Sequence, residues 1–293
     1  MLRWQLQGGR AAWPRDVANG AFAPPPATVA PGAAAITFIN HATFLIRLSG
    51  AVVLTDPIFS DRCSPVPWAG PKRARPPGIA LADVPRPDVV LLSHNHYDHM
   101  DLPSLRELQR RHAPRFVTLL GNARILAQVG IAAIELDWWQ DVTAAGLRIT
   151  ATPARHFSAR TPFDRNRSLW GGFMIGAETG QVLFAGDSGA GLHWQAIGAR
   201  LGSPDVALLP VGAYEPRWFM APVHMNPAEA VQAHFALGAR RSVGMHFGTF
   251  QLTDEAIDAP LEALDAARRA ADLDAATFAT HGFGETRLYP LGG

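Results

Sequence analysis

Seven residues, Ser93-His94-Asn95-His96-Tyr97-Asp98-His99, follow directly on the apolar stretch Val89–Leu92. Imidazole and carboxylate are the ligands that borderline divalent metals such as zinc prefer. In an extended segment, His94 and His96 project to one side. Asp98 and His99 follow a turn and bend back toward a second position. One stretch can therefore offer two ligands to each of two ions. Such an arrangement demands a rigid strand end beneath it and partner ligands brought in from distant segments.

Those partners are visible. Leu147–Thr152 leads through Ala154-Arg155 to His156. Residues 182–184 lead through Ala185-Gly186 to Asp187, and residues 242–245 end at His246. The carboxyl ends of strands are where open α/β sheets place their chemistry. Any one of these residues alone reads more simply as structural; four strand ends converging on ligand types read as a metal site.

The intervening chain alternates short β-like runs with helical patterns, which points to a layered α/β body. Residues 36–48 and 52–54, joined across Ser49-Gly50, predict a hairpin. Further strands are expected at 89–92, 116–120, 147–152, 172–175, 182–184, 206–209, 242–245 and 286–289. The unbroken run Val89–Leu92 implies burial on both faces. Helices are expected at 102–111, 123–129, 227–237 and 259–271. The third has Asn226 as cap, Pro227 at its first position and Glu229 reaching back. Residues 1–35, with Pro24-Pro25-Pro26, form a compositionally distinct arm that Trp4 and Trp13 tuck onto a body of residues 36–293.

Composition narrows the function classes. With 48% hydrophobic and 17% charged residues, the chain is neither disordered nor a coiled coil. A net charge of +1 gives no general pull toward nucleic acid. The single cysteine, Cys63, excludes an internal disulfide and a cysteine-only metal site. The first ten residues hold no apolar run of signal type, and no window reaches the ~20 apolar residues of a spanning helix. A cytoplasmic protein is expected, with peripheral contact at the inner face of the membrane as an open alternative.

In His94-Asn95-His96-Tyr97-Asp98-His99, His156, Asp187 and His246, the chain resembles the metallo-β-lactamase superfamily. The resemblance implies a four-layer αββα sandwich. It implies that His94, His96 and His156 hold one metal and that Asp98, His99 and His246 hold a second, with Asp187 bridging. Asn40-His41-Ala42-Thr43, Thr55-Asp56-Pro57, Tyr214-Glu215-Pro216-Arg217-Trp218-Phe219-Met220, His224-Met225-Asn226-Pro227 and His246-Phe247-Gly248-Thr249-Phe250 are similar to the N-acyl-phosphatidylethanolamine-hydrolysing phospholipase D family and its bacterial relatives. His99 directly after Asp98, and Cys63 outside every ligand segment, separate the chain from antibiotic-hydrolysing enzymes.

The implied activity is a binuclear metal-dependent hydrolase, foremost a zinc phosphodiesterase, with iron or manganese as alternative metals. Two metals ~3.5–4 Å apart can share a hydroxide as nucleophile, which Asp98 would orient. A lactonase or carboxylic ester hydrolase uses the same chemistry, and a non-catalytic metal-binding protein is the third alternative. The expected substrate is a small molecule or a phospholipid. His224 is a candidate general acid or substrate-orienting group, or else a locally packed histidine. Arg217 and Trp218 could meet an anionic head group and an acyl chain, or anchor the core. His41 and His281 are expected near the substrate. The charge run 72–75, and Arg165 with Arg167, are either phosphate contacts or solvated surface. The oligomeric state is open.

Overall fold

The computed structural model describes residues 9–292. One sheet is built from β1 (Ala33–Asn40), β2 (Thr43–Leu48), β3 (Ala51–Thr55), β4 (Val89–Leu92), β5 (Arg115–Leu119), β6 (Ala133–Leu136) and the last strand, β14 (Thr286–Pro290). Its order is β14-β1-β2-β3-β4-β5-β6. The other is built from β7 (Asp141–Ala144), β8 (Leu147–Thr152), β9 (Gly172–Ala177), β10 (Gly180–Phe184), β11 (Val206–Pro210), β12 (Arg241–Met245) and β13 (Phe278–Thr280). Its order is β13-β12-β11-β10-β9-β8-β7. Both sheets are mixed: β3 to β6 run parallel, as do β10 to β13, and the remaining pairs are antiparallel.

Two-sided burial explains the apolar runs. In β1 to β4, Ile36, Phe38, Phe44, Ile46, Val53, Val89 and Leu91 join the core between the sheets. Their neighbours Ile39, Leu45, Leu54, Val90 and Leu92 face outward into a second cluster. That cluster is capped by α1 (Leu102–His112) through Leu105 and Leu108, and by the short α2 (Ala123–Leu126). Over the second sheet lie α3 (His193–Leu201), α5 (Pro227–Leu237) and α6 (Ala259–Ala270), the first burying Trp194 and Ile197. A single-turn helix, α4 (Arg217–Met220), precedes α5. The result is the expected αββα sandwich. The cap of α5 forms as expected: Glu229 N–H donates to Asn226 Oδ1 at 2.8 Å, and Asn226 N–H to Glu229 Oε2 at 2.9 Å.

Two expectations need correcting. The run 36–48 is two strands, because the chain reverses at His41-Ala42, where His41 takes the left-handed conformation (φ 49°). No glycine or proline marks that turn. Strands β6, β7 and β13 were also missed; they are three or four residues long and lie at or next to a sheet edge. The hairpin across Ser49-Gly50 forms as predicted, with Leu48 opposite Ala51.

The segment before β1 runs extended over the body. Ala11 N–H donates to Asp254 O, Val17 N–H to Ala74 O and Trp13 Nε1–H to Glu255 O at 2.8 Å. Because β1 opens at Ala33, the last residues of the predicted arm belong to the sheet. Trp4 lies outside the described residues. Among the described residues, no helix is long and apolar enough to cross a membrane.

Candidate metal centre

Four strand ends supply the centre. After β4, His99 N–H and Met100 N–H both donate to His96 O, a turn that folds Asp98 and His99 back beside His94 and His96. His156 follows β8, Asp187 follows β10 and His246 follows β12. Gly186 permits the close approach of the Asp187 segment. Its φ is +62°, and a Cβ there would stand 2.6 Å from Gly171 O and 2.8 Å from Ser93 Cβ. Beneath His246, Phe38 stacks with Phe247 at 5.3 Å and meets Phe44 and Phe283 at 5.1 and 4.9 Å. Truncating the fully buried Phe38 ring would cost about 3–5 kcal/mol, so this packing contributes substantially to the stability of the segment that carries His246.

His94 Nε2 lies 2.9 Å from His96 Nδ1, which lies 3.2 Å from His156 Nε2. On the other side, Asp98 Oδ2 lies 3.4 Å from both His99 Nε2 and His246 Nε2. Asp187 Oδ2 stands between these groups, 3.2 Å from His99 Nε2, 3.1 Å from His246 Nε2 and 3.8 Å from His156 Nε2. The seven predicted ligands are thus brought together.

Three buried atoms point to what the cluster accommodates. His99 Nε2, His246 Nε2 and Asp187 Oδ1 are buried without a hydrogen-bond partner. Left unpaired, each carries a desolvation cost of about 1–3 kcal/mol. Donors bound at about 2.0–2.1 Å around a tetrahedral cation stand about 3.4 Å apart, which matches the observed spacing. The nitrogen and carboxylate donor set fits a borderline divalent metal.

The outer nitrogens fix ring orientation. His156 Nδ1–H donates to Val223 O at 3.0 Å, and His99 Nδ1–H to Asp56 Oδ2 at 2.6 Å. His94 Nδ1–H donates to Ser93 Oγ at 2.9 Å, and Ser93 in turn donates its N–H and its hydroxyl to Asp56. In each case the remaining nitrogen faces inward.

Electrostatics leave His94, His96 and Asp187 in binding form, while His246 holds a proton that an arriving cation would displace. Burial, then the neighbouring His156, lowers the His96 imidazole to about 3, and burial pushes His94 well below its ordinary value. Both rings are therefore neutral at pH 7, as ligation requires. Burial would raise the Asp187 carboxyl, but His246 and His99 hold it well below the usual range. Burial would lower His246, but Asp187 and then Asp98 raise it to about 9.

The other predicted site residues divide. His224 Nε2 comes 4.0 Å from Asp187 Oδ2, so His224 joins the centre. His41 Nε2 lies 2.9 Å from Asp98 Oδ2. Arg217 engages internal acceptors: Tyr214 O at 3.2 Å, His224 O at 3.0 Å and Glu229 Oε2 at 2.7 Å. Trp218 is half-exposed. His281 stays outside the cluster, with its Nε2 2.7 Å from Tyr289 Oη. Sequence reasoning missed Asp56 and Arg160 as contributors. Asp56 also ends a strand, β3, so the rule that found Asp187 could have found it. Arg160 stacks on Tyr97 at 3.9 Å and donates to Asn95 O and Met100 O at 2.8 and 2.9 Å, bracing the motif. No spacing rule announces it.

The sequence profile described as a β-lactamase superfamily domain matches residues 52–247. The chain belongs to this superfamily. It is 38% identical over 228 residues to N-acyl-phosphatidylethanolamine-hydrolyzing phospholipase D 1 of Caenorhabditis elegans, covering 74% of this chain and 64% of that one. It is 32% identical over 219 residues to a metal-dependent hydrolase of Methanopyrus kandleri, covering 73% of this chain and 84% of that one. Among solved structures it is similar to Igni18, a metallo hydrolase of Ignicoccus hospitalis. The TM-score there is 0.67 at 25% identity, with 88% of this chain and 98% of that chain covered. The superfamily chain described here spans less than two thirds of the nematode relative's length.

Proposed function

We propose that this chain is a two-cation phosphodiesterase of the N-acyl-phosphatidylethanolamine phospholipase D type, with zinc as its metal. The observation that carries the two-cation reading is the position of Asp187 Oδ2, within 3.8 Å of ring nitrogens from both ligand groups. His94, His96 and His156 would hold one ion, Asp98, His99 and His246 the other, and Asp187 both. Two such ions supply, when bound, a strongly acidified water and neutralisation of the charge that develops on a phosphate.

The chain's own residues do the rest. Asp98 accepts a hydrogen bond from His41 on the oxygen that faces His99 and His246, which fixes the direction in which that carboxylate can take a proton. His224, kept neutral by burial, presents one ring proton and one lone pair beside Asp187. It suits orienting a substrate oxygen or protonating a leaving group. The phosphodiester assignment draws on the likeness to the nematode phospholipase D.

A phospholipid substrate and peripheral membrane contact gain support from the loops around the centre. Trp68, Phe163, Leu192 and Trp218 are 78, 85, 85 and 52% exposed. The Phe163 loop is tied to the metal motif by Tyr97 and Arg160. It meets the Leu192 loop where Arg155 and Gly189 bond, and Gly189 packs on Pro222, just past Trp218. The loop of Trp68 carries Cys63, which clusters with Ile58 and Phe250 against Tyr97. Lys72, Arg155, Arg165 and Arg167 are the exposed cations on these loops, which carry one exposed acid, Asp61.

The test is a purified, zinc-loaded chain assayed on an aryl phosphodiester, on N-acyl-phosphatidylethanolamine in vesicles and on a lactone panel, with elemental analysis. Metal-dependent turnover of both diesters is expected, with about two metal equivalents and at least a ~1000-fold loss in Asp187→Asn. Lactone opening without diester turnover replaces the reading with a lactonase. Tight metal without hydrolysis replaces it with a metal-binding protein.

A further inference from the structure

Among the described residues, His41 belongs to no ligand segment yet is bonded to two members of the second ligand group, His246 and Asp98, and is clamped from a third side by Thr249. Its backbone carbonyl accepts from His246 N–H at 2.7 Å. Its backbone N–H donates to Thr249 Oγ1 at 3.0 Å. Its Nε2 lies 2.9 Å from Asp98 Oδ2, and its ring lies against that of His246 with centroids 3.9 Å apart and edge-on to Phe250 at 5.5 Å. The residue is 1% exposed and held at φ 49° in the turn between β1 and β2. A side chain other than glycine or asparagine in this conformation is strained, and strain of this kind persists where surrounding structure overdetermines it.

The contact to Asp98 is made on the same oxygen that faces His99 and His246. A donor from the second coordination sphere on that oxygen sets its direction and limits how far it can swing. No equivalent brace reaches the trio of His94, His96 and His156 from His41. We infer that His41 is a positioning residue for the Asp98, His99 and His246 group alone: it aims Asp98 through a hydrogen bond and holds His246 by its backbone and ring. It therefore sets the affinity of one cation position and leaves the other untouched. This inference rests on the two-cation reading.

The test is a zinc titration of the metal-free full chain against a chromophoric chelator, repeated with cobalt for its visible spectrum. His41→Asn keeps the left-handed turn, since asparagine tolerates it, but is too short to reach Asp98. His41→Gln restores a donor of nearly the original length. Wild type should take two equivalents. In His41→Asn one equivalent should weaken by about 10–100-fold, as loss of such outer partners does, with the other within about twofold. In His41→Gln the weakened equivalent should recover most of that loss, and the cobalt bands of the affected position should return toward wild type.

Equal weakening of both equivalents, no weakening at all, or a His41→Gln no better than His41→Asn overturns the inference; the last would make the ring itself a ligand. A wild type that takes a single equivalent overturns the two-cation reading and the inference with it, so the two failures are distinguishable. Thermal melts report folding. If His41→Asn does not fold, Thr249→Val takes its place, since it removes the acceptor of His41 N–H at the cost of one long donation to Phe247 O at 3.5 Å, and a smaller loss at the same single position is expected.

Discussion

Asp56 Oδ2 lies 2.6 Å from His99 Nδ1, and both residues are fully buried. The carboxylate ends β3, the strand next to β4, so two adjacent strand ends place an anion behind an inward-facing imidazole. The same carboxylate takes the N–H and hydroxyl of Ser93, whose oxygen in turn accepts from His94. One buried acid thus orients a ring in each ligand group.

Asp56→Asn should weaken zinc binding by about 10–100-fold, because a neutral amide no longer fixes the His99 tautomer. Ser93→Ala should cost less, since it leaves the acid in place. Competition titration of the metal-free variants checks the ranking; equal affinities for Asp56→Asn and wild type would contradict it.

How much of this was legible in sequence follows from where the signal sits. The layered fold and the seven clustered side chains could be read because each ligand ends an apolar run, and strand ends converge in α/β sandwiches. The turn at His41 was not legible, since its cause is a tertiary clamp by His246 and Thr249 rather than a turn residue. The short strands β6, β7 and β13 escaped because three or four residues carry too little periodicity. Arg217 and His281 were singled out by local company. Their partners, Glu229 and Tyr289, lie 12 and 8 residues away, and only the folded chain reveals that pairing.

Burial lowers the His281 imidazole to about 4, with Arg287 adding to the effect, and burial followed by Arg155 does the same to His193. Above pH 6.5 neither the folded nor the unfolded chain binds a proton at these rings. Between pH 6.5 and about 4 only the unfolded chain does, so stability falls as pH falls. At about 1.4 kcal/mol per unit, each ring accounts for about 2–3 kcal/mol across that window. Urea unfolding of metal-free protein at pH 7.5 and 4.5 should show a smaller drop in His281→Gln than in wild type, by about one such share; the histidines of the centre cancel in the comparison. An unchanged drop would contradict the assignment.

Arg217→Ala should destabilise the chain by about 1–3 kcal/mol, since the guanidinium bonds two carbonyls and the Glu229 carboxylate that caps α5. Because one of those carbonyls is that of His224, turnover should fall as well. The preference for anionic over neutral substrates should stay as in wild type. Unfolding midpoints and a paired substrate assay separate the outcomes: a selective loss of anionic substrates with unchanged stability would instead assign Arg217 to head-group binding.

The exposed side chains around the centre make the last expectation. Trp68 and Phe163 stand 78 and 85% exposed on loops that also carry Lys72, Arg165 and Arg167. Inserting such side chains into a bilayer interface removes apolar surface from water, and the neighbouring cations add about 1 kcal/mol each near an anionic leaflet. Trp68→Ser with Phe163→Ser should therefore reduce co-sedimentation with anionic phospholipid vesicles at least about tenfold, which corresponds to about 1.4 kcal/mol. Binding should also weaken as salt rises. Zinc content and turnover of a water-soluble diester should match wild type, since neither side chain touches the ligand groups. Unchanged vesicle binding in the double variant would remove the membrane from this reading and leave a water-soluble diester as the substrate.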